Sequence, residues 1–142
     1  MKIFKQICEV DEKDLVKIAT INGVLWIKRY FREPAGNIAV EDFGSGQTFK
    51  WSYWHDEVHY IIKGKAEITF SMPPFHEKEE KVIAETGDAY MIYKGESLTF
   101  KVISSEPYRH LCIIMPAIPI PSGDHLVLDQ IQKKTYPGSR KL

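Results

Sequence analysis

Hydrophobic and polar residues alternate with a period of two along most of the chain, and clusters of Gly, Pro and Ser interrupt the alternation at short intervals. This pattern predicts short β-strands that each bury one face, and the frequent turns are typical of a barrel or a sandwich. The predicted strands are residues 24–31, 37–43, 48–54, 57–62, 65–71, 81–84, 89–92, 97–103 and 108–115. We therefore expect an all-β fold.

Helical periodicity is confined to two short segments. Residues 11–19, DEKDLVKIA, combine an acidic first turn with apolar residues three and four apart, and a second short piece lies near 126–131. Both predict minor peripheral helices outside the barrel. The segment MPPFHEKEEK, residues 72–81, predicts an exposed hairpin connection, and residues 135–142 predict a frayed tail.

The length of 142 residues suits one domain and one core. We expect a single domain over residues 1–142, with an N-terminal arm of about 1–23, a barrel over 24–115 and a C-terminal extension over 116–142. The 19 basic and 19 acidic residues cancel, and the charges are scattered. Because nucleic-acid binding needs a basic face, we expect no nucleic-acid partner.

The two cysteines, Cys8 and Cys112, form no CxxC pair, so we expect neither a disulfide framework nor a zinc site made of thiolates. The N-terminal segment turns acidic before an apolar core of signal-peptide length accumulates, and no run approaches the roughly 18 apolar residues of a membrane helix. These features predict a soluble, cytoplasmic protein without a membrane partner.

Two segments carry a resemblance to a known family. In WSYWHDEVHYIIKGKAEITF, residues 51–70, Glu57 lies seven residues ahead of Gly64, and in TGDAYMIYKGESLTFKV, residues 86–102, Gly87 opens a strand. These segments resemble the two sequence motifs of the cupin superfamily. The sequence of these segments is similar to that of small single-domain cupins of the ethanolamine-utilisation type and, more distantly, to that of ectoine synthase. The resemblance implies a double-stranded β-helix (a jelly-roll barrel), often dimeric, with a divalent metal ion near one mouth.

The chain departs from the usual cupin metal site, which takes a His-x-His pair, a Glu and a later His. Trp51 and Tyr53 occupy the positions of the pair, and Leu98 replaces the histidine of the second motif. We therefore do not expect an ordinary three-histidine dioxygenase site. The resemblance to ectoine synthase implies ligation by Glu, Tyr and a later His, and the first two carry over to Glu57 and Tyr90.

Alternation along a strand predicts that His55, Glu57 and His59 share one face. Imidazole and carboxylate groups are ligands that zinc, iron and manganese accept. Alternate side chains on an ideal strand stand about 6.5–7 Å apart, so three in succession do not all reach one ion at about 2.0–2.2 Å without a bend. We expect two of the three to bind.

A further ligand is expected from His110, which alternation places on the same face of its strand as Cys112. Cys112 matches a pocket-lining cysteine in the ectoine-synthase-like pattern. The predicted site thus holds Glu57, Tyr90 and one or two of the histidines at 55, 59 and 110. The predicted metal ligands are His55, Glu57 and Tyr90. The predicted proton-transfer residues are Tyr53, His59 and His110. A tyrosine ligand must ionise, which requires the charge of the metal; the same residue can instead act as an acid or base.

These residues favour a small metal-dependent enzyme that polarises a substrate oxygen and moves a proton, as a lyase, dehydratase, isomerase or cyclase acting on a small polar organic substrate. The expected cofactor is one divalent transition-metal ion: Fe, Mn, Zn or Ni. A metal-dependent dioxygenase is one alternative. A non-catalytic barrel that binds a small molecule is another, favoured by Leu98. We also expect a homodimer, in which the N-terminal segment and residues 118–123 cover strand edges.

Overall fold

The computed structural model describes residues 1–115 of the 142-residue chain. This part consists almost entirely of β-strands, with two short 3₁₀ turns at Ile7–Glu9 and Glu12–Asp14. The strands are β1 Val16–Thr20, β2 Gly23–Glu33, β3 Gly36–Phe43, β4 Thr48–Ser52, β5 Glu57–Lys63, β6 Lys65–Ser71, β7 Glu80–Glu85, β8 Ala89–Ile92, β9 Ser97–Val102 and β10 Tyr108–Ile114.

The strands form two antiparallel sheets. One has six strands in the order β1-β2-β3-β10-β5-β8, and the other has four in the order β4-β9-β6-β7. The main hydrophobic core draws on both sheets and includes Phe43 and Ile61 from the first and Phe49, Ile68 and Phe100 from the second. The prediction of an all-β jelly roll is confirmed.

All nine predicted strands are present, and each end lies within two residues of its predicted position. The agreement is good because most strands bury one face and expose the other. In β6, for example, Ala66 and Ile68 are buried, while Glu67 between them is half-buried. The predicted connection at 72–81 is an exposed loop over residues 72–79 between β6 and β7, and its last two residues belong to β7.

The predicted helix at 11–19 is wrong. Its first part is the 3₁₀ turn Glu12–Asp14, and its second part is β1, which pairs with β2. The β-branched residues Val16, Ile18 and Thr20 favour a strand, and Ile18 alone buries its side chain in the core. The predicted N-terminal arm therefore contributes a strand to the sheet, while the helix predicted near 126–131 lies outside the described residues. Within residues 1–115, no helix has the length and apolar character needed to cross a bilayer.

A buried ion pair ties the N-terminal segment to the outer face of the six-stranded sheet. Arg109 donates to both carboxylate oxygens of Asp42, at 2.7 and 2.8 Å, and to the carbonyl oxygen of Val10 at 2.7 Å. Val10 and Leu15 pack on Val40 beside this pair. The N-terminal segment thus covers the middle of the sheet on the side away from the main core.

Gly64 turns the chain from β5 into β6 at a place where a side chain does not fit. Its φ is +85°, and a Cβ atom there would lie 2.4 Å from the carbonyl oxygen of Pro107. Only glycine combines this conformation with so close an approach. The glycine of the first cupin-like motif therefore holds the start of β10 against the β5–β6 turn, which sets the relative position of β5 and β10.

Candidate metal centre

The pairing of β5 with its two neighbours brings polar side chains to one level inside the sandwich. His59 in β5 lies opposite Cys112 in β10 on one side and opposite Tyr90 in β8 on the other. Two residues before Cys112 in β10, His110 lies opposite Glu41 in β3. The inner face of four adjacent strands thus carries a row of ionisable groups where a core would otherwise be apolar.

Three of these groups form a compact set of donor atoms. The ligating atoms of Glu57, His59 and Cys112 all lie within 4.8 Å of one another. His59 Nε2 is 3.2 Å from Glu57 Oε2, and Cys112 Sγ is 3.5 Å from the same oxygen. The residues are 8%, 1% and 2% exposed. We call them the Glu-His-Cys group.

The spacing of the Glu-His-Cys group fits a metal ion. Tetrahedral coordination at the usual zinc bond lengths of about 2.0–2.3 Å separates neighbouring ligand atoms by roughly 3.3–3.8 Å. The two separations measured here are 3.2 and 3.5 Å. Carboxylate, imidazole and thiolate are all donors that zinc and iron accept. The residues present are therefore a possible metal site.

Burial keeps the Glu-His-Cys group uncharged when no cation is bound. It raises the pKa of Glu57 to about 8, and the nearby Glu41 carboxylate adds to this rise. Burial also raises the pKa of the Cys112 thiol and lowers the pKa of His59 well below its usual range. A divalent cation would reverse this balance, since its charge compensates the carboxylate and the thiolate that it binds.

Tyr90 lies at the opposite edge of the His59 ring from Glu57. Its Oη is 3.1 Å from His59 Nδ1 and 3.0 Å from Tyr108 Oη. The β5–β8 register places Tyr90 opposite His59, whereas Ile92 lies opposite Glu57. Tyr90 is thus a hydrogen-bond partner of His59, and its role as a metal ligand stays a prediction.

His55 does not join the group either. We expected it to continue the strand of Glu57, but β4 ends at Ser52 and His55 lies in the bend before β5. Strand alternation does not apply across this bend, so it gives no support for a shared face at His55, and the role of His55 as a metal ligand stays a prediction. Burial and, to a lesser extent, the charge of Lys94 lower the pKa of His55.

His110 lies beside the group and is completely buried. Its ring stacks on His59 with 4.2 Å between the centroids. Its Nε2 is 3.3 Å from Glu41 Oε2, but the contact lacks hydrogen-bond geometry, and neither ring nitrogen has a hydrogen-bond partner among the described residues. The side chain of Glu41 is 18% exposed. Glu41 and His110 therefore lead from the buried group toward solvent.

Tyr53 is buried, with its ring edge-on to His59 at 6.2 Å between centroids. Burial, together with the negative charge of Glu57, raises its pKa well above the usual range for a tyrosine. The structure thus places the three predicted proton-transfer residues, at positions 53, 59 and 110, within one cluster.

Sequence reasoning placed Cys112 in the pocket by resemblance without naming it as a ligand, and it did not include Glu41 in the site. Alternation along the strand places Cys112 on the same face as His110, but only the pairing of β5 with β10 shows that Cys112 lies opposite His59. Glu41 gave no signal, because β3 buries residues on both faces, as Ala39 and Val40 show, and alternation then gives no direction.

A comparison with known protein families identifies the family of this chain. Residues 35–118 match the family model of the ethanolamine utilisation protein EutQ. The chain belongs to the EutQ family. No curated protein sequence matches this EutQ-family chain.

Solved structures agree with the family. The EutQ protein of Clostridium difficile is 25% identical, with 76% of this chain and 80% of that chain covered and a TM-score of 0.55. A putative EutQ of Salmonella typhimurium is 20% identical, with 70% and 79% covered and a TM-score of 0.52. An iron(II) form of HppE is 10% identical, with 75% and 58% covered and a TM-score of 0.59. The last two likenesses, both under 25% identical, show the fold alone.

Proposed function

We propose that this EutQ-family protein is a metal-dependent enzyme in which Glu57, His59 and Cys112 hold one divalent transition-metal ion. The observation that carries the proposal is the convergence of three buried donor atoms within 4.8 Å. Three protein ligands leave a coordination position for water or substrate, as in catalytic rather than structural zinc sites. The thiolate favours zinc or iron over manganese.

A metal ion held here would act as a Lewis acid on a substrate oxygen. His110 and Glu41 are the residues of this chain placed to move a proton beside it. His110 Nε2 has Glu41 Oε2 at 3.3 Å, and the part of Glu41 that remains exposed gives the pair access to solvent and substrate. Proton transfer without a change of oxidation state describes a lyase, dehydratase, isomerase or cyclase acting on a small polar organic molecule.

A dioxygenase is less well supported, because the Glu-His-Cys group contains one histidine, whereas non-haem iron oxygenases use two histidines and a carboxylate. A non-catalytic binding barrel has a specific observation in its favour. With the pKa of Glu57 near 8 and the pKa of Cys112 raised, the group is neutral near pH 7 without a cation. It would then offer hydrogen bonds to a neutral ligand.

Metal analysis of the tag-free protein tests the proposal. We expect about one equivalent of zinc or iron in the wild-type protein, and its loss in Glu57→Gln. Replacing the native ion with cobalt(II) should produce the absorption of a thiolate-to-cobalt charge transfer. That absorption should vanish in Cys112→Ala and persist in Cys8→Ala, the matched control with an exposed cysteine. A wild-type protein without stoichiometric metal, or an absorption that persists in Cys112→Ala, would contradict the proposed site.

Homodimerisation stays a prediction, and one surface supports it. The outer face of β5 and of the edge strand β8 exposes Val58, Tyr60 and Met91, which lie side by side across the two strands. Adjacent exposed apolar side chains on an edge favour association with another chain. Light scattering after size exclusion should give twice the chain mass, and a Tyr60→Glu, Met91→Glu variant should give the monomer. The cytoplasmic location and the lack of a nucleic-acid partner also stay predictions.

A further inference from the structure

A β-bulge in β2 changes which side chains face the interior of the sandwich. The pairing of β2 with β3 shifts by one residue between Arg29 and Phe31, so that Arg29 lies opposite Ala39 and Arg32 lies opposite Asn37. Ala39 and Asn37 alternate along β3 and share its inner face. The bulge therefore puts both arginines on the inner face, whereas uninterrupted alternation would put them on opposite faces.

The two aromatic residues between the arginines show the effect of the bulge. The ring of Phe4, in the N-terminal segment, contacts both Tyr30 and Phe31, at 6.0 and 6.3 Å between centroids. Tyr30 also packs against the cluster that contains Val40 on the outer face of the sheet. Two consecutive side chains thus face outward, and the arginine on either side of them faces inward.

Arg29 lies in the same row of side chains as two members of the Glu-His-Cys group. Ala39 separates it from Cys112, which in turn lies opposite His59. Neighbouring strands are about 4.8 Å apart, so the backbones of Arg29 and Cys112 are roughly 10 Å apart. Ala39 contributes only a methyl group, which the long side chain of Arg29 can cross. Burial raises the pKa of the Cys112 thiol, and the charge of Arg29 opposes this rise, as expected for groups close to each other.

Arg32 lies in the adjacent row, which leads to the third member of the group. Across β3, this row continues to Ile114 in β10 and then to Glu57 in β5. Arg29 is partly buried and Arg32 is exposed, so the two positive charges extend from the interior toward solvent. The carboxylate of Glu41 belongs to the row on the other side of Arg29, away from Arg32.

We propose that Arg29 and Arg32 bind an oxyanion beside the Glu-His-Cys group, and that the substrate is therefore a small organic molecule with a carboxylate or phosphate group. The assignment of this anion to a substrate rests on the proposed function, whereas the anion site itself does not. A guanidinium group presents five N–H donors in a planar fork that matches two oxygens of either anion. Five donors allow it to bind an anion in addition to contacts within the protein.

Titration with inorganic phosphate and, separately, with formate tests the site and distinguishes the two kinds of anion. Proton–nitrogen NMR spectra report binding through the backbone amides of Ala39 and Asn37, at constant ionic strength so that screening does not change. We expect a saturable shift with at least one anion, and the anion that binds more tightly identifies the group on the substrate. In Arg29→Gln, half-saturation should need at least about 10-fold more anion, because a charged hydrogen bond is lost.

Lys28→Gln is the matched control, because it removes one positive charge from the preceding residue, which lies opposite Val40 on the outer face. It should leave the anion affinity unchanged. Equal losses in Lys28→Gln and Arg29→Gln would reflect net charge alone and would overturn the site, as would shifts that do not saturate in the wild type. If Arg29→Gln does not fold, Arg32→Gln at the exposed position supplies the same comparison.

Repeating the titrations with and without one equivalent of zinc separates this inference from the proposed function. Saturable anion binding that depends on Arg29 supports the anion site even if the protein binds no metal, in which case the proposed function fails alone. Stoichiometric zinc binding without anion binding in either form overturns the anion site and leaves the proposed function in place.

Discussion

The two faces of β10 bury polar groups in opposite ways. On the outer face, Arg109 satisfies both oxygens of Asp42 and the carbonyl oxygen of Val10. On the inner face, one residue further along, His110 is completely buried, yet neither ring nitrogen has a hydrogen-bond partner among residues 1–115. The hydrogen bonds of Arg109 on the outer face stabilise the fold, whereas the ring nitrogens of His110 on the inner face are still able to form hydrogen bonds. Unsatisfied buried groups of this kind point to a site for a ligand.

The largest effect is expected on the outer face. Asp42→Ala leaves Arg109 buried without its carboxylate, and breaking such a pair costs about 3–5 kcal/mol. Chemical denaturation should show a loss of this size. A loss below about 1 kcal/mol would mean that the outer pair is no more important to the fold than an exposed one.

The inner face should respond to pH. Because the pKa of Glu57 is raised from 4.5 to about 8 in the folded state, the folded protein holds a proton that the unfolded chain has lost. The lowered pKa of His59 acts in the opposite direction below pH 6.5, where only the unfolded chain protonates this ring. The stability of the metal-free protein should therefore fall as pH rises from about 6.5 to 8, by at most ~1.4 kcal/mol per pH unit. A series of denaturation curves across this pH window measures the slope.

Glu57→Gln is the control for this pH dependence, since its amide does not titrate. The slope should become much smaller in this variant, and its metal-free form should be at least as stable as the wild type at pH 8. An unchanged slope would assign the pH dependence to other groups. Added zinc should remove the slope in the wild type, because the ion stabilises the ionised carboxylate.

His110→Phe should separate stability from function. The change removes two buried nitrogens that lack hydrogen-bond partners among the described residues and keeps a ring to stack on His59. We expect the variant to be more stable than the wild type by about 1 kcal/mol in the metal-free form. It should still bind the metal ion but lose turnover. A destabilised variant would show that the nitrogens of His110 are satisfied in solution.

The smallest effect is expected at an exposed pair. Lys81 and Glu67 lie 3.3 Å apart across β6 and β7, with side chains 63% and 34% exposed. Because solvent screens such pairs, Glu67→Gln should change the free energy of unfolding by less than about 0.5 kcal/mol. A larger loss would weaken the contrast between buried and exposed pairs on which the other expectations rest.

The strands could be predicted from sequence because a strand that buries one face shows it in its own residues. The failures occur where that condition does not hold. Residues 11–19 carry apolar residues at spacings compatible with a helix, and only the pairing of β1 with β2 decides for a strand. His55 lies in a bend, where alternation does not describe direction. Glu41 lies in a strand that is covered on both sides.

The sequence by itself determined an all-β cupin fold and the turn at Gly64, and it named Glu57 and His59 as candidate site residues, since alternation and motif spacing are local properties. Only the tertiary structure decided which groups meet. Cys112 and Tyr90 are far from His59 in sequence but lie opposite it in neighbouring strands, one facing the Nε2 edge of its ring and the other the Nδ1 edge. Strand register is set by the packing of the whole sheet. Which residues meet at the site therefore depends on contacts between strands rather than on spacing along the chain.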